Sequence, residues 1–397
     1  MKIIKYTYKF RLKPTKDQEI LLNKHFGSIR WTYNYFLNQR KQEYLDHKKS
    51  LNYNQQSAQL TQLKKQDDTK WLKETNSQAL QYSLKCLEGA YQNFFMGRGK
   101  FPKFKSRRSR NSFTVNQHVR SQGKMIHFPK FQEGIKMIME REIKGKIKKA
   151  TISKEPSGKY FITILTEKQY IPVPKSGKKV GIDLGLKDFL VLSNGSKTKN
   201  HRFLKHYLKQ LKVQQKHLAR KVRGSNRYEK QRIKVAKIHE KITNSRMDVI
   251  HKTTKSLVDS YDVIYLEDLN IKGMIKNPKL SRSIQDVSWG KFIETLRYKA
   301  QWNDKEVIHI DRFFPSSKTC NKCGWINNSL ELNDRNWTCK CGEILDRDVN
   351  AAINILKEGL RMDIKDTSAG TADHKHGAKI RPSNGKSYEV LKEKTLI

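Results

Sequence analysis

Residues 3–12 alternate strictly. Ile4, Tyr6, Tyr8, Phe10 and Leu12 fall on one side and Lys5, Thr7, Lys9 and Arg11 on the other. A period of two predicts a strand with one buried and one basic face. After Pro14 the spacing becomes helical. Thr15 and Gln18 are placed for a capping box, and helical patterns cover 17–25, 29–46, 54–65 and 77–96, with breaks expected at Gly27-Ser28 and near Asp67-Asp68. Gly97-Arg-Gly-Lys100 ends this helical module. Short β-type runs follow at 112–117, 124–128, 134–140, 148–154 and 159–166, the last two joined by Pro156-Ser-Gly158. The pattern predicts a small sheet or barrel into which helices are inserted after the first strand.

From about residue 176 the order changes. A strand 179–183 ends in Asp183, and a second strand 189–192 leads to the hairpin-type Asn194-Gly195. Two long basic helices are predicted at 203–222 and 226–259, broken at Gly224-Ser225. A buried-type strand 263–266 runs directly into Glu267. A helix at 289–302, a strand at 307–310 and a last helix at 349–360, opening after Asp348, complete the pattern. This order resembles the RNase H-like fold, an α/β fold in which carboxylates from the first strand, a central strand and the last helix meet at one edge of the sheet. Asp183, Glu267 and Asp348 stand at those three places.

Charge narrows the partners. The 397 residues carry 82 Lys+Arg against 38 Asp+Glu, a formal net charge of +44 spread along the chain, which calls for a polyanion. Hydrophobic residues make up 36%, with 16 Tyr, 16 Phe and 6 Trp, enough for real cores. No window of about 18 apolar residues occurs and the N-terminus lacks the apolar stretch of a signal peptide, so the expectation is a cytoplasmic, nucleoid-associated protein without a membrane partner. Aromatics interleaved with basic residues, Tyr33 to Phe36, Trp289 and Trp302, read first as core and second as base-stacking platforms.

In so basic a chain three gathered carboxylates call for cations. Mg2+ prefers hard oxygen ligands, and two ions about 3.5–4 Å apart stabilise the attacking and leaving oxygens of phosphodiester hydrolysis; Mn2+ is the alternative. Asp183, Glu267 and Asp348 are therefore the expected catalytic and metal-holding residues. Asp188, Asp262, Asp268 and Asp346 read as capping or solvated neighbours, Asp346 being the candidate exception. Cys320-x-x-Cys323 and Cys339-x-Cys341, fifteen residues apart, offer four thiolates to a structural Zn2+. The second knuckle is tighter than the usual two-residue spacing. Cys86 reads as a small core residue on the apolar side of a helix.

Several motifs together carry a specific resemblance: Gly27-Ser-Ile-Arg-Trp-Thr-Tyr-Asn34, Phe101-Pro-Lys-Phe104, Gly181-Ile-Asp-Leu-Gly185, Leu266-Glu-Asp-Leu269, Phe314-Pro-Ser-Ser-Lys318 leading into Cys320, and Asp346-Arg-Asp-Val-Asn-Ala-Ala352. Over about residues 1–360 the chain is similar to TnpB, the OrfB-type protein of bacterial insertion sequences and a relative of type V CRISPR effector nucleases. The resemblance implies a multidomain architecture: a wedge-type β-barrel (1–14 and 100–175) split by a helical recognition domain (15–99), then a RuvC-like nuclease domain (176–315 and 346–360) carrying a zinc-ribbon insertion (316–345) that loads the target strand. It makes Asp183, Glu267 and Asp348 the RuvC triad. It implies a guide RNA from the element itself, double-stranded DNA as target beside a short motif read by the protein, and cleavage of both strands. Tyr53 and Gln81 occupy positions near those that read the motif. A guide-independent DNA-binding transposase and a nuclease-dead RNA-guided regulator are the alternatives. Residues 361–397, with His374 and His376, read as a disordered tail.

Overall fold

The computed structural model describes residues 1–331 and 333–368, with the side chains of the last helix described as far as Ile364. Strand β1 (Lys2–Lys13) buries Ile4, Tyr8, Phe10 and Leu12, the face that its alternation predicts. Thr15 then caps helix α1 (Lys16–His47) in a reciprocal capping box with Gln18. The break expected at Gly27-Ser28 is absent, since α1 runs unbroken through both. Its buried stripe, Leu22, Phe26, Ile29, Tyr33 and Phe36, continues across the glycine, and such tertiary burial outweighs the helix penalty of about 1 kcal/mol for Gly. Ser28 also donates to the Lys24 carbonyl (2.9 Å) and accepts from Thr75 Oγ1 (2.8 Å).

Helix α2 (Tyr53–Leu63), a 3₁₀ segment (Asp67–Glu74) and α3 (Ser77–Phe95) pack with α1 against a sheet of β1, β2 (Asn111–Val115), β3 (Arg120–Gln122), β4 (Met125–Phe128), β5 (Phe131–Ile138), β6 (Lys146–Lys154) and β7 (Tyr160–Tyr170). The strand order is β2-β6-β7-β1-β5-β4-β3. β1 pairs with both β7 and β5, so the helices are an insertion between the first strand and the rest of its sheet. The ladder is open: among the described residues no pairing joins the edge strands β2 and β3, and a closed barrel is not formed.

A second sheet follows. It contains β8 (Lys179–Asp183), β9 (Asp188–Leu192), β10 (Lys197–Lys199), β11 (Val263–Glu267) and β12 (Glu306–Ile310) in the order β10-β9-β8-β11-β12. The first three strands are antiparallel, whereas β11 lies parallel to both β8 and β12. Basic helices α4 (Phe203–Ala219) and α5 (Asn226–Ser260) form a long hairpin, and α5 packs on α8 (Trp289–Trp302); short helices α6 (Ile271–Met274) and α7 (Ser281–Val287) lie between. A ribbon of β13 (Asn336–Thr338) and β14 (Ile344–Asp346) leads into α9 (Arg347–Ser368). This last helix passes the expected end at 360, so Arg361–Ser368 are helical and not tail. His374 and His376 lie outside the described residues.

Most of the aromatics weighed as stacking platforms are core or interface residues. Tyr33, Phe36 and Trp289 are buried, and Trp302 packs on Tyr6 (5.4 Å between ring centres), joining the two sheet units together with the Tyr170 hydroxyl, which donates to Asn303 (3.0 Å). Only Tyr35 of the 33–36 run is exposed.

Candidate active site

Asp183 ends β8 and Glu267 ends β11. The two strands are parallel, with Ile182 opposite Leu266, so the two carboxylates leave neighbouring strand ends on one edge of the sheet. α9 crosses that edge in very close contact. A Cβ added to Gly181 would stand 2.2 Å from the Ala352 carbonyl oxygen and 2.5 Å from the Leu356 amide nitrogen, a distance that only glycine permits. Asp348, one turn before Ala352, is thereby brought toward Asp183 in the first turn of α9, where the helix dipole favours a negative charge.

The three acids share one electrostatic field. Burial first, then the charges of Glu267 and Asp348, raise the Asp183 carboxyl to about 7, against the partial relief of Arg347 and the Leu184 amide. The arrangement is not a tight cage. Among the described residues the cysteines alone bring three or more candidate ligand atoms within 4.8 Å of one another, and the triad oxygens stand further apart. Ser316 donates to Glu267 Oε1, and Arg335 lies 3.6 Å from Asp348.

The neighbouring acids have structural partners. Asp346 accepts from the Asp348 and Val349 amides (3.1 and 3.0 Å) as the cap of α9 and pairs with Lys197 at 2.6 Å. Burial opposes its charge, but Lys197 and those amides hold it below the usual carboxylate range. Its carboxylate thus has both a capping and an ion-pair role. Asp262 pairs with buried Lys305 (3.1 Å) and accepts from the Gly177 amide (2.6 Å); Asp268 pairs with Arg312.

The cysteines form a second centre. Cys320, Cys323, Cys339 and Cys341 place their sulfurs within 4.8 Å of one another, with Cys320–Cys341 at 3.9 Å and Cys323–Cys339 at 3.4 Å. A tetrahedral ion with bonds of about 2.3 Å has sulfur–sulfur edges of about 3.8 Å, so the set can hold a metal. The tighter Cys-x-Cys knuckle is accommodated by a shorter turn. Gly324 donates to the Cys320 carbonyl four residues back, whereas Gly342 donates to the Cys339 carbonyl three residues back, both at 2.9 Å and both glycines at positive φ. Around them, among the described residues, only the apolar side chains Leu330, Trp337 and Leu345 are buried, a core too small to fold the ribbon alone. Burial opposes the Cys320 thiolate, but the Cys323 and Lys322 amides bring its pKa down to about 7.

Three family profiles match the chain: "Probable transposase" of the OrfB/IS605 type over residues 161–278, the TNB domain of Cas12f1-like proteins over 289–355, and a "Helix-turn-helix domain" of the OrfB/IS605 type over 1–49. A Streptomyces pristinaespiralis protein named "Putative RNA-guided DNA endonuclease" is 36% identical over 365 residues, covering 91% of this chain and 90% of the relative. An Escherichia coli K12 protein named "Putative RNA-guided DNA endonuclease InsQ" is 32% identical, covering 89% and 92%. The chain belongs to the OrfB/IS605 family, the TnpB proteins. Its fold is also similar to that of a Cas12f1 chain solved with sgRNA and target DNA, with a TM-score of 0.52 at 13% identity over 89% of this chain and 98% of the other.

In this TnpB chain the region matched as helix-turn-helix is a strand followed by one long helix. Tyr53 opens α2, half-buried, and Gln81 is exposed on α3; Lys85, one turn beyond Gln81, sits 5.6 Å from the Tyr53 ring centre, so the three share one patch. Cys86 is exposed, not core. The buried stripe of α3 is Ala79, Leu80, Ser83, Leu84, Leu87 and Tyr91, and position 86 falls outside it.

Sequence reading also passed over Ser316, Asn350 and Asn354. Asn350 and Asn354 on α9 donate to the Thr319 carbonyl (2.7 and 2.6 Å), and Asn354 also donates to the Ser316 carbonyl (2.8 Å). They tie the segment that carries both Ser316 and Cys320 to the helix that carries Asp348. Ser316 and Asn350 stand inside motifs shared with the TnpB family, a signal that could have singled them out.

Proposed function

We propose that the chain is an RNA-guided DNA endonuclease. It hydrolyses target DNA with Asp183, Glu267 and Asp348, after a guide RNA from its own element has paired with that DNA. The observation that carries this is the convergence of the three acids from β8, β11 and α9 with a field strong enough to raise Asp183 to about 7. Such repulsion has a physical use when a divalent cation neutralises it.

Asp183, Glu267 and Asp348 would hold Mg2+ in a pair, or Mn2+ in its place. The bound ions would supply a polarised phosphate and an activated water. The chain's own residues position the ligands. Ser316 fixes one oxygen of Glu267, Gly181 lets α9 seat Asp348 against β8, and Lys197 pairs with Asp346. The sheet order, with an antiparallel trio followed by two parallel strands and covered by α9, supports an RNase H-like RuvC domain over 176–315 and 346–368. The cysteine tetrahedron supports a structural Zn2+ in the ribbon 316–345. Residues 1–14 and 100–175 would be the wedge domain, and 15–99 the recognition domain.

A charge of +44 suits a long RNA and an A-form heteroduplex held by backbone contacts while base pairing supplies specificity. The patch of Tyr53, Gln81 and Lys85 would read the motif beside the target. The test is to express the chain with its flanking DNA, sequence the co-purified RNA, and assay Mg2+-dependent cleavage of matched and mismatched plasmids against Asp183→Ala. Guide-directed cuts lost in the variant are expected. DNA joining by an RNA-free protein would overturn the reading in favour of a transposase.

A further inference from the structure

A cavity of about 700 Å3 opens between α1 and the 3₁₀ segment, away from the triad and cysteine centres. Its lining gathers most of the family motif 27–34: Gly27, Ser28, Arg30, Trp31 and Asn34, with Trp71 opposite. We propose that this cavity holds a single unpaired nucleobase of the bound nucleic acid, stacked on Trp71 with its phosphate met by Arg30.

The walls are aromatic and set at a corner. Trp31 stacks on Tyr35 (4.9 Å, 22°), and Trp71 meets Trp31 nearly edge-on (5.4 Å, 75°), leaving Trp71 40% exposed at the mouth. Exposed aromatic surface beside cations is how proteins hold bases without reading their sequence. The Arg30 guanidinium has no hydrogen-bond or ion-pair partner among the described residues, although it is only partly exposed. Among the described residues the Lys24 ammonium at the rim is engaged only by exposed Glu74 at 2.7 Å, a pair weak enough to yield to a phosphate. Asn34 does not line the cavity by accident of mobility: its amide is locked to the Lys105 backbone by two bonds (2.8 and 2.9 Å), so that wall is preformed.

The floor points the same way. Gly27 lies inside a helix, where glycine costs about 1 kcal/mol against alanine, yet an added Cβ would meet nothing within 4 Å. Packing within the protein does not require glycine there. An occupant that approaches the helix backbone does. A base fits the flat walls and the free guanidinium, and a chain this basic has nucleic acid as its natural partner.

The proposal rests on the chain binding nucleic acid, and the experiment separates the two. The full-length complex is purified with its RNA, irradiated at short wavelength with and without matched target DNA, and the cross-linked peptides are mapped. A single nucleotide joined to Trp31, Tyr35 or Trp71 is expected. Cross-linking in the RNA complex alone identifies the base as RNA; cross-linking only after target addition identifies it as DNA. Gly27→Leu, which fills the floor, and Trp71→Ala should each abolish the cross-link and weaken binding of that strand by about 5- to 150-fold, the range for one stacked base, with the melting temperature of Gly27→Leu unchanged or higher. A complex that binds its RNA and target while cross-linking elsewhere, with Gly27→Leu binding like the parent, overturns the cavity proposal and leaves the nuclease reading intact. A chain that binds no nucleic acid overturns both.

Discussion

Gly181→Ala is the sharpest single test of how the site is assembled. The new methyl would stand 2.2 Å from the Ala352 carbonyl oxygen, 2.5 Å from the Leu356 amide and 2.9 Å from Leu356 Cβ, where ordinary contact begins near 3.4 Å. The obstacles are mostly backbone, so no rotamer change relieves them, and α9 must retreat by about 1 Å. Overpacking of this kind costs about 1–3 kcal/mol. The larger effect is on geometry. Asp348 rides on α9 and Asp183 on β8, so the retreat separates them directly, and a 1 Å misplacement can lower a rate about 100-fold. The assay is single-turnover cleavage of a matched plasmid at saturating Mg2+, with guide RNA and target binding measured in parallel by mobility shift. We expect a rate about 30- to 100-fold below the parent and unchanged binding. Gly359→Ala is the companion. Its methyl would meet the Tyr265 ring at 2.1 Å, three turns along the same helix. It should cost comparable stability and much less rate. Cleavage by Gly181→Ala within about threefold of the parent, or equal losses in the two variants, would refute the idea that this contact sets the position of Asp348.

Because the native Asp183 carboxyl titrates at about 7 and the unfolded one near 3.9, the native state holds the extra proton between those values, and metal-free stability falls as pH rises from about 4 to 7. Asp183→Asn removes this penalty and should melt higher than the parent at pH 8 in chelator, by an amount on the order of 2–4 kcal/mol, with no gain at pH 4; equal melting at both pH values would sink the argument. Ser316→Ala removes the one side-chain donor that reaches the Glu267 carboxylate among the described residues and should slow cleavage about tenfold without changing RNA binding, as measured by rate at saturating guide. If the four cysteines hold zinc as proposed, Cys341→Ser should lower the zinc per chain read by atomic emission and the melting temperature of the ribbon; a variant that keeps one zinc per molecule would remove Cys341 from the ligand set.

Much of this was legible in the chain because its signals are local. The alternation of β1, the capping box at Thr15 and the Asn194-Gly195 turn each depend on a few neighbouring residues. The positions of Asp183, Glu267 and Asp348 in the fold could be read because two of them end strands and the third lies in the first turn of a helix. What escaped depends on distant partners. The unbroken course of α1 through Gly27 is decided by burial against the sheet and α3, and the exposure of Cys86 by which side of α3 meets them. The roles of Ser316, Asn350 and Asn354 arise only when α9 folds back on residues separated from it by the ribbon. The end of α9 is hidden in the sequence because charged residues after 360 look like tail, although Arg361 pairs with Glu358 within the helix (2.5 Å) and Asp363 reaches back to Lys179 on β8 (2.9 Å).

The pairing of β1 has a consequence for how the protein is made. This strand is synthesised before every other strand of its sheet, and its full-length neighbour, β7, begins only at Tyr160. At roughly 5–20 residues per second, the ribosome needs about 7–30 s to cover the roughly 150 residues between them. For that interval a strand carrying Ile4, Tyr8, Phe10 and Leu12 lacks its long ladder, since β5 meets it only at Arg11–Lys13, and its lysines and arginine disfavour pairing with other nascent chains. The basic face of β1 thus serves the unfinished chain before it serves the folded one.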